Sequence, residues 1–156
     1  MKISPLRSIL FVCLGNICRS PLAEGVFKSV LEAEGKASGV VVDSAGTNGY
    51  HTGETPDARS VAVAQKYGID ISGQRCRQLN ADDFIRFDLI VGMDQVNIAA
   101  IDRRRPEKAT AETGLFYDLA LGDPKQIPDP YYGTQADFER IYRMILAASN
   151  GLSTRF

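Results

Sequence analysis

The sequence predicts an α/β domain of three layers, with a mainly parallel sheet of about four strands and helices on both faces. Three observations carry that prediction. A short unbroken apolar run at 8–12 suits a strand buried on both sides, and the apolar-rich segments 39–46 and 87–93 read as further strands. Segments of helical periodicity fill the stretches between them, and glycines stand where those segments should stop. With 156 residues, 44% of them apolar, the chain can close one core without metal or disulfide staples, so a single domain over 1–156 is expected.

The elements follow in order. "SILFV" (8–12) is the first strand. From Pro21 onward Ala23, Val26, Phe27, Val30 and Leu31 recur at helical spacing until Gly35, predicting a helix that begins at about Ser20 and Pro21. "GVVVDSAG" (39–46) is the second strand, and strand, turn, helix, strand makes a right-handed βαβ unit with parallel strands. Pro56 to Tyr67 reads as a helix ended by Gly68, "FDLIVGM" (87–93) as a further strand, and Asp94 to Arg103 as its helix. Between Thr110 and Gly133 the pattern predicts a strand near Leu115 and then a long loop. Thr134 with Asp137 three residues on predicts a capped last helix whose buried stripe is Phe138, Ile141, Tyr142, Ile145 and Leu146.

Composition excludes several classes of function. A net charge of -1 argues against nucleic-acid or membrane-surface binding, which usually leaves a strong basic excess. The run Arg103, Arg104, Arg105 before Pro106 reads as cations at a helix C-terminus. "MKISPLRSILFV" lacks the long apolar core of a secretion signal, and no apolar run approaches a membrane span, so a cytoplasmic location without membrane insertion is expected. Three cysteines in such a chain should be reduced thiols. With one histidine, His51, and no C-x-x-C pair, neither a zinc site nor Cys-His catalysis is expected; no metal or other cofactor is implied. His51 beside Tyr50 reads as a surface polar residue, with an effect on substrate choice as the alternative, and Cys76 as a structural one.

Ligands of parallel α/β folds bind beyond the carboxyl ends of the strands. "FVCLGNICRSP" (11–21) places Cys13 at that address, directly after the first strand. A loop wrapped toward a helix N-terminus turns backbone N–H groups inward and adds the positive end of the dipole, which makes an anion site of residues 14 to 20: Leu14, Gly15, Asn16, Ile17, Cys18, Arg19 and Ser20. Gly15 and Asn16 are the residue types that tolerate the left-handed backbone such a cradle needs. Arg19 offers a planar fork matching two phosphate oxygens. A cysteine at the mouth of this site is expected to be held as thiolate, a nucleophile beneath a bound oxyanion. Departure of the leaving oxygen needs a proton, and Asp118, Asp123 and Asp129 all lie in the long loop. Spacing does not choose among them, although Pro130 restrains the backbone of Asp129 and two tyrosines beside it offer a stacking wall.

"VCLGNICRSP" resembles the active-site loop of the low-molecular-weight protein tyrosine phosphatases. "SAGT" (44–47), "FDLIVGMD" (87–94) and "DPYYG" (129–133) resemble that family's other hallmark segments in the same order, across nearly the whole chain. The resemblance implies a phosphotyrosine protein phosphatase that works through a phosphocysteine intermediate, with phosphotyrosine-containing proteins as substrates and inorganic phosphate as product. It implies Cys13 as nucleophile, Arg19 as phosphate ligand and Asp129 as general acid. By the same resemblance Ser20 donates to the thiolate, Asn16 holds the loop's shape, Ser44 braces Asn16, and Tyr50, Tyr131 and Tyr132 form an aromatic rim. It further implies a reversible disulfide between Cys18 and Cys13; a small buried side chain in the loop wall is the alternative reading of Cys18. One departure is Gly73, near where some relatives carry a histidine that supports the loop, so the brace of Asn16 is open. Two rival functions remain. An arsenate reductase on the same fold needs resolving cysteines on a mobile segment, for which Cys76 alone is a poor match. A non-catalytic phosphate or nucleotide-binding module is disfavoured because neither G-x-G-x-x-G nor G-x-x-x-x-G-K-[ST] occurs.

Overall fold

The structure, a computed structural model, describes residues 3–156. Strand β1 (Ser8–Cys13) is followed by α1 (Arg19–Ala33), β2 (Val41–Gly46), α2 (Ala58–Lys66), α3 (Asp83–Arg86) and β3 (Leu89–Gly92). Then come α4 (Gln95–Arg104), β4 (Glu112–Leu115), α5 (Phe116–Leu121), α6 (Gln135–Leu152) and a closing 3-10 turn (Ser153–Arg155). The sheet has four strands in the order β2-β1-β3-β4, and every neighbouring pair is parallel. All six residues of β1 are buried, as its unbroken apolar run requires of a central strand.

Alternation along β1 divides the core into two layers. Ile9 and Phe11 pack with Phe27 of α1, Val63 of α2, Phe116 of α5 and Phe138 of α6 on one face. Leu10 and Val12 pack with Phe84 of α3, Ile90 of β3 and Ile101 of α4 on the other. Helices therefore cover both faces of the sheet. The first face is the more aromatic: Phe11 meets Phe27 and Phe116 with ring centroids 5.5 and 5.0 Å apart.

Helix ends follow the residue types present. The capping box at Thr134 and Asp137 forms, and a second one joins Asp94 to Asn97 at the start of α4. Arg103 and Arg104 lie in the last turn of α4, where cations complement the dipole. Helix α1 starts at Arg19, within a residue of the start expected at about Ser20 and Pro21. One expectation needs correction. The segment 110–133 is not only a strand and a loop, because α5 follows β4 without a connecting residue and ends at Gly122, whose φ is 68°. Six residues fall below the length at which a helix holds itself in water; α5 is fixed by burying Phe116, a tertiary cause that periodicity does not carry.

The chain leaves β1 toward β2 on one side and later crosses to β3 on the other. The strand order thus reverses at β1, and the crevice where such folds bind ligands opens at its carboxyl end. Cys13 is the last residue of that strand.

Candidate active site

The turn from β1 to α1 is held by its carbonyls. Cys13 O accepts from Thr47 N–H at 2.9 Å, Leu14 O from Asn48 N–H at 3.1 Å, and Ile17 O from Asp57 N–H at 2.8 Å. Asn16 O accepts from the Cys76 thiol at 2.9 Å, and Cys18 O from the Ser60 hydroxyl at 3.0 Å. A trans peptide points its N–H opposite to its C=O. The N–H groups of Leu14, Gly15, Ile17, Cys18 and Arg19 consequently turn away from these partners, toward the cavity. That cavity, of about 390 Å³, is lined by Cys13, Gly15, Ile17, Cys18, Arg19 and Asp129 among others. Cys13 Sγ lies at its base, 3% exposed as a residue, 3.1 Å from Ser20 Oγ and 3.4 Å from Ser20 N–H.

Of the two residues expected to take a left-handed backbone, only Asn16 does, with φ 58°. At Gly15 a Cβ would stand 3.1 Å from His51 Cδ2, a tight contact, so glycine lets the His51 ring lie close against the loop without displacement. Gly46, at the end of β2, is needed for the same kind of reason, since a Cβ would meet Leu14 O at 2.9 Å and Asn16 N at 3.0 Å.

The Asn16 side chain points behind the cradle, not into it. Its Nδ2 donates to Ser20 Oγ at 2.7 Å and to Ser44 Oγ at 3.0 Å, and its Oδ1 accepts from Arg77 N–H at 3.0 Å. Space at Gly73 is open, with nothing within 4 Å of a would-be Cβ. The brace of Asn16 is therefore supplied by Ser20, Ser44 and the Arg77 backbone. Ser44 in turn donates to Glu24 Oε1 at 2.8 Å.

Arg19 is 2% exposed, and a buried guanidinium needs a counter-charge. Its Nη1 donates to Asp94 Oδ2 at 2.7 Å and to Ile127 O at 2.9 Å. The other arm, Nη2, stands 3.8 Å from Asp129 Oδ2 across the cavity. Sequence reasoning gave no role to Asp94 or Ile127. Asp94 carries a sequence signal as the N-cap of α4, but its partner is 75 positions away.

The three aspartates of the long loop are placed differently. Asp129 lines the cavity, while Asp118 and Asp123 are exposed outside it. Its Oδ1 accepts from Tyr131 N–H at 3.1 Å. The segment is tied to α2 through Arg59, which donates to Tyr131 O at 2.9 Å and is itself held by Asp57. That contact lowers the Asp57 carboxyl below its usual value, the Arg59 hydrogen bond being the main cause and burial opposing it. Tyr50, Tyr131 and Tyr132 all stand at the cavity's edge, and the rings of Tyr131 and Tyr132 meet edge to face at 4.9 Å. His51 also lines the cavity, with Nδ1 3.1 Å from Glu54 Oε2, so it is part of the wall rather than a bystander on the surface.

The three cysteines are free and buried. Burial pushes the Cys18 thiol well above its ordinary value, with Asp57, Cys13 and Asp129 adding to the effect. Burial likewise pushes Cys76 up to about 11, reinforced by Glu54 and Cys13. Among the described residues no three His, Cys, Asp or Glu side chains gather as a metal site, and no helix is long and apolar enough to cross a membrane.

This geometry has close counterparts. The family model described as low molecular weight phosphotyrosine protein phosphatase matches residues 8–156. The chain is 40% identical over 140 residues to the human low molecular weight phosphotyrosine protein phosphatase, covering 88% of this chain and 87% of that one. It is 43% identical over 148 residues to a Streptomyces coelicolor low molecular weight protein-tyrosine-phosphatase, covering 92% and 90%. The solved Entamoeba histolytica protein tyrosine phosphatase, with Hepes in its active site, superposes with a TM-score of 0.87 at 35% identity, covering 94% of each chain. The tyrosine phosphatase Wzb from Escherichia coli K30, in complex with sulphate, gives 0.82 at 31% identity, covering 96% of this chain and 97% of that one. With its cradle, buried arginine and facing aspartate borne on this sheet, the chain belongs to the low molecular weight phosphotyrosine protein phosphatase family.

Proposed function

We propose that the chain acts as one phosphotyrosine protein phosphatase domain in which Cys13, Arg19 and Asp129 carry the reaction. The observation that supports this most is the tying down of five loop carbonyls behind residues 13–18, which turns the intervening amides toward one cavity. A phosphoryl group seated there meets the amides of residues 14, 15 and 17–19 and the Nη2 arm of Arg19. Cys13 Sγ attacks phosphorus in line with the departing phenolic oxygen, and Asp129 gives that oxygen its proton, leaving phosphocysteine and tyrosine. Asp129, now a base, takes a proton from water as it attacks the phosphocysteine, releasing inorganic phosphate and regenerating the thiolate. The donors and Arg19 neutralise charge that builds on the equatorial oxygens. Ser20 donates to the sulfur, Asn16 and Ser44 hold the loop, and Tyr50, Tyr131 and Tyr132 flank the substrate ring. A rim of this kind favours phosphotyrosine proteins, whose long side chain reaches the base, over phosphoserine.

Arsenate reduction receives no support from Cys76. Its thiol is buried and engaged with Asn16 O, which makes it a wall of the loop rather than a resolving group. The deciding experiment is hydrolysis of an aryl phosphate by wild type, Cys13→Ser and Asp129→Ala. Expected are turnover in wild type, loss of about 10⁴-fold or more in Cys13→Ser, and trapping of phosphate on Cys13 in wild type. No turnover in wild type would leave a binding module, and thioredoxin-coupled arsenate turnover exceeding hydrolysis would favour the reductase.

A further inference from the structure

We infer that Glu24, in the second turn of α1, is a positioning residue that keeps the Ser20 hydroxyl aimed as a donor at Cys13 Sγ, acting through Ser44 and Asn16. The inference deepens the assignment of Cys13 as nucleophile and rests on it. Glu24 is 5% exposed, and its Oε2 is paired with Lys28 Nζ at 2.7 Å. An ionised carboxylate only accepts hydrogen bonds. The single proton of Ser44 is therefore committed to Glu24 Oε1, and Ser44 Oγ receives from Asn16 Nδ2. The second hydrogen of that amide goes to Ser20 Oγ. With Asn16 a donor on both sides, the Ser20 proton is left for sulfur at 3.1 Å; Ala45 O, at 3.4 Å, is the longer alternative.

Such a chain has two senses, and only one serves a thiolate. If Ser44 lost its acceptor, its proton would turn toward Asn16 and favour a flipped amide, with Oδ1 between the two hydroxyls. Ser20 would then donate to Asn16 and leave the sulfur. The Arg77 N–H at Oδ1 opposes that flip from one side, and Glu24 opposes it from the other. Hydrogen bonds in such a series polarise one another, so a fixed acceptor at one end is felt at the far end. Lys28, half-exposed on the next turn of α1, supplies the cation that makes a buried carboxylate tolerable. The ionisable groups facing Cys13 are Arg19 on α1, Cys18 in the loop, Asp129 on the acid segment, and Cys76 on the segment behind; His51 lines the same cavity. Those beside Glu24 are Lys28 and Glu32 on α1 and Asp70 beyond α2. Substitution of Glu24 removes none of these groups, although Lys28 loses its partner.

The test is the pH profile of Cys13 alkylation by iodoacetate, read site by site by peptide mass. Glu24→Met should move the profile's midpoint up by about one pH unit, the size of one hydrogen bond to a charged group. Glu24→Gln keeps a carbonyl acceptor for Ser44 and should recover most of that shift. In a Ser44→Ala background Glu24→Met should add nothing, because the path is already cut. An unmoved or lowered midpoint in folded Glu24→Met overturns the inference. So does the same upward shift with Ser44 absent, or a Glu24→Gln profile that stays with Glu24→Met. Should Glu24→Met not fold, Glu24→Asp draws the carboxylate back by one methylene while keeping its charge; it should give about half the shift, and none overturns the relay. If wild-type Cys13 alkylates only in base, like a free thiol, the nucleophile assignment falls and the relay with it. An early wild-type midpoint that Glu24 does not move sinks the relay alone.

Discussion

Two loops face each other across the cavity and are held in opposite ways. The nucleophile loop is partly buried, with Cys13, Asn16 and Cys18 inside, and is anchored on five of its carbonyls by residues from separate segments of the chain. The segment 129–133 is largely exposed, with the Tyr132 side chain almost fully in solvent, and its main tether is the single guanidinium of Arg59. The contrast divides the labour. The cradle must present its donors before phosphate arrives, because reorganising them during reaction would add to the barrier. On the proposed reading the segment carrying Asp129 must let a substrate ring in and a product out, which calls for a lightly held element.

The comparison can be broken first at its acid end. Asp129→Asn should lower kcat for a phenyl phosphate by about 10³-fold, and by less for a good leaving group that needs no proton. It should also remove the alkaline fall in kcat/KM; a wild-type rate that kept rising into alkali would refute the assignment. At the cradle, Asp94→Ala leaves the buried Nη1 of Arg19 without its counter-charge and should cost about 10²-fold in kcat/KM as the guanidinium loses its aim. Arg59→Met sharpens the contrast by loosening only one loop. We expect about a tenfold drop in kcat and faster amide exchange at 131–133, with the Cys13 alkylation profile unchanged.

Smaller effects probe the tether and the loop wall. Asp57 has a lowered carboxyl in the folded state, so its stabilising contribution is complete above the ordinary aspartate range near pH ~4. It is lost only as pH falls through the depressed value. Thermal melts of wild type and Asp57→Asn should accordingly differ at about pH 6 and converge in stronger acid. Finally, mild peroxide should convert Cys13 to a sulfenic acid that Cys18 closes to a disulfide with loss of water, a net loss of two hydrogens by mass that Cys18→Ala abolishes. Because burial keeps the Cys18 thiol protonated, closure should be slow and should quicken with pH.

The sequence carried those parts of the molecule whose cause is local. An unbroken apolar run placed β1, glycine stops placed the ends of α1 and α2, and paired cap residues placed α6, since each depends on neighbours within a few positions. Helix α5 was hidden because burial of one phenylalanine holds it, and α3, four residues long, was hidden because no periodicity fits in a single turn. The site divides along the same line. Cys13, Asn16 and Arg19 share one short motif and could be read together. Asp94 and Ile127, which aim Arg19, stand 75 and 108 positions from it, and Glu24 reaches Ser44 across 20; no spacing rule joins them. Asp129 was set apart from Asp118 and Asp123 by Pro130, its two neighbouring tyrosines and the family segment DPYYG rather than by spacing; the fold adds that of the three it is the one lining the cavity.

The anchored carbonyls also bear on what the protein meets in solution. A cradle fixed in advance recognises a tetrahedral oxyanion by shape and charge alone, and free orthophosphate fits it as well as the esterified group does. Selectivity for one ester over another must therefore come from the loosely held aromatic margin, and on the proposed reading free orthophosphate should compete at the base.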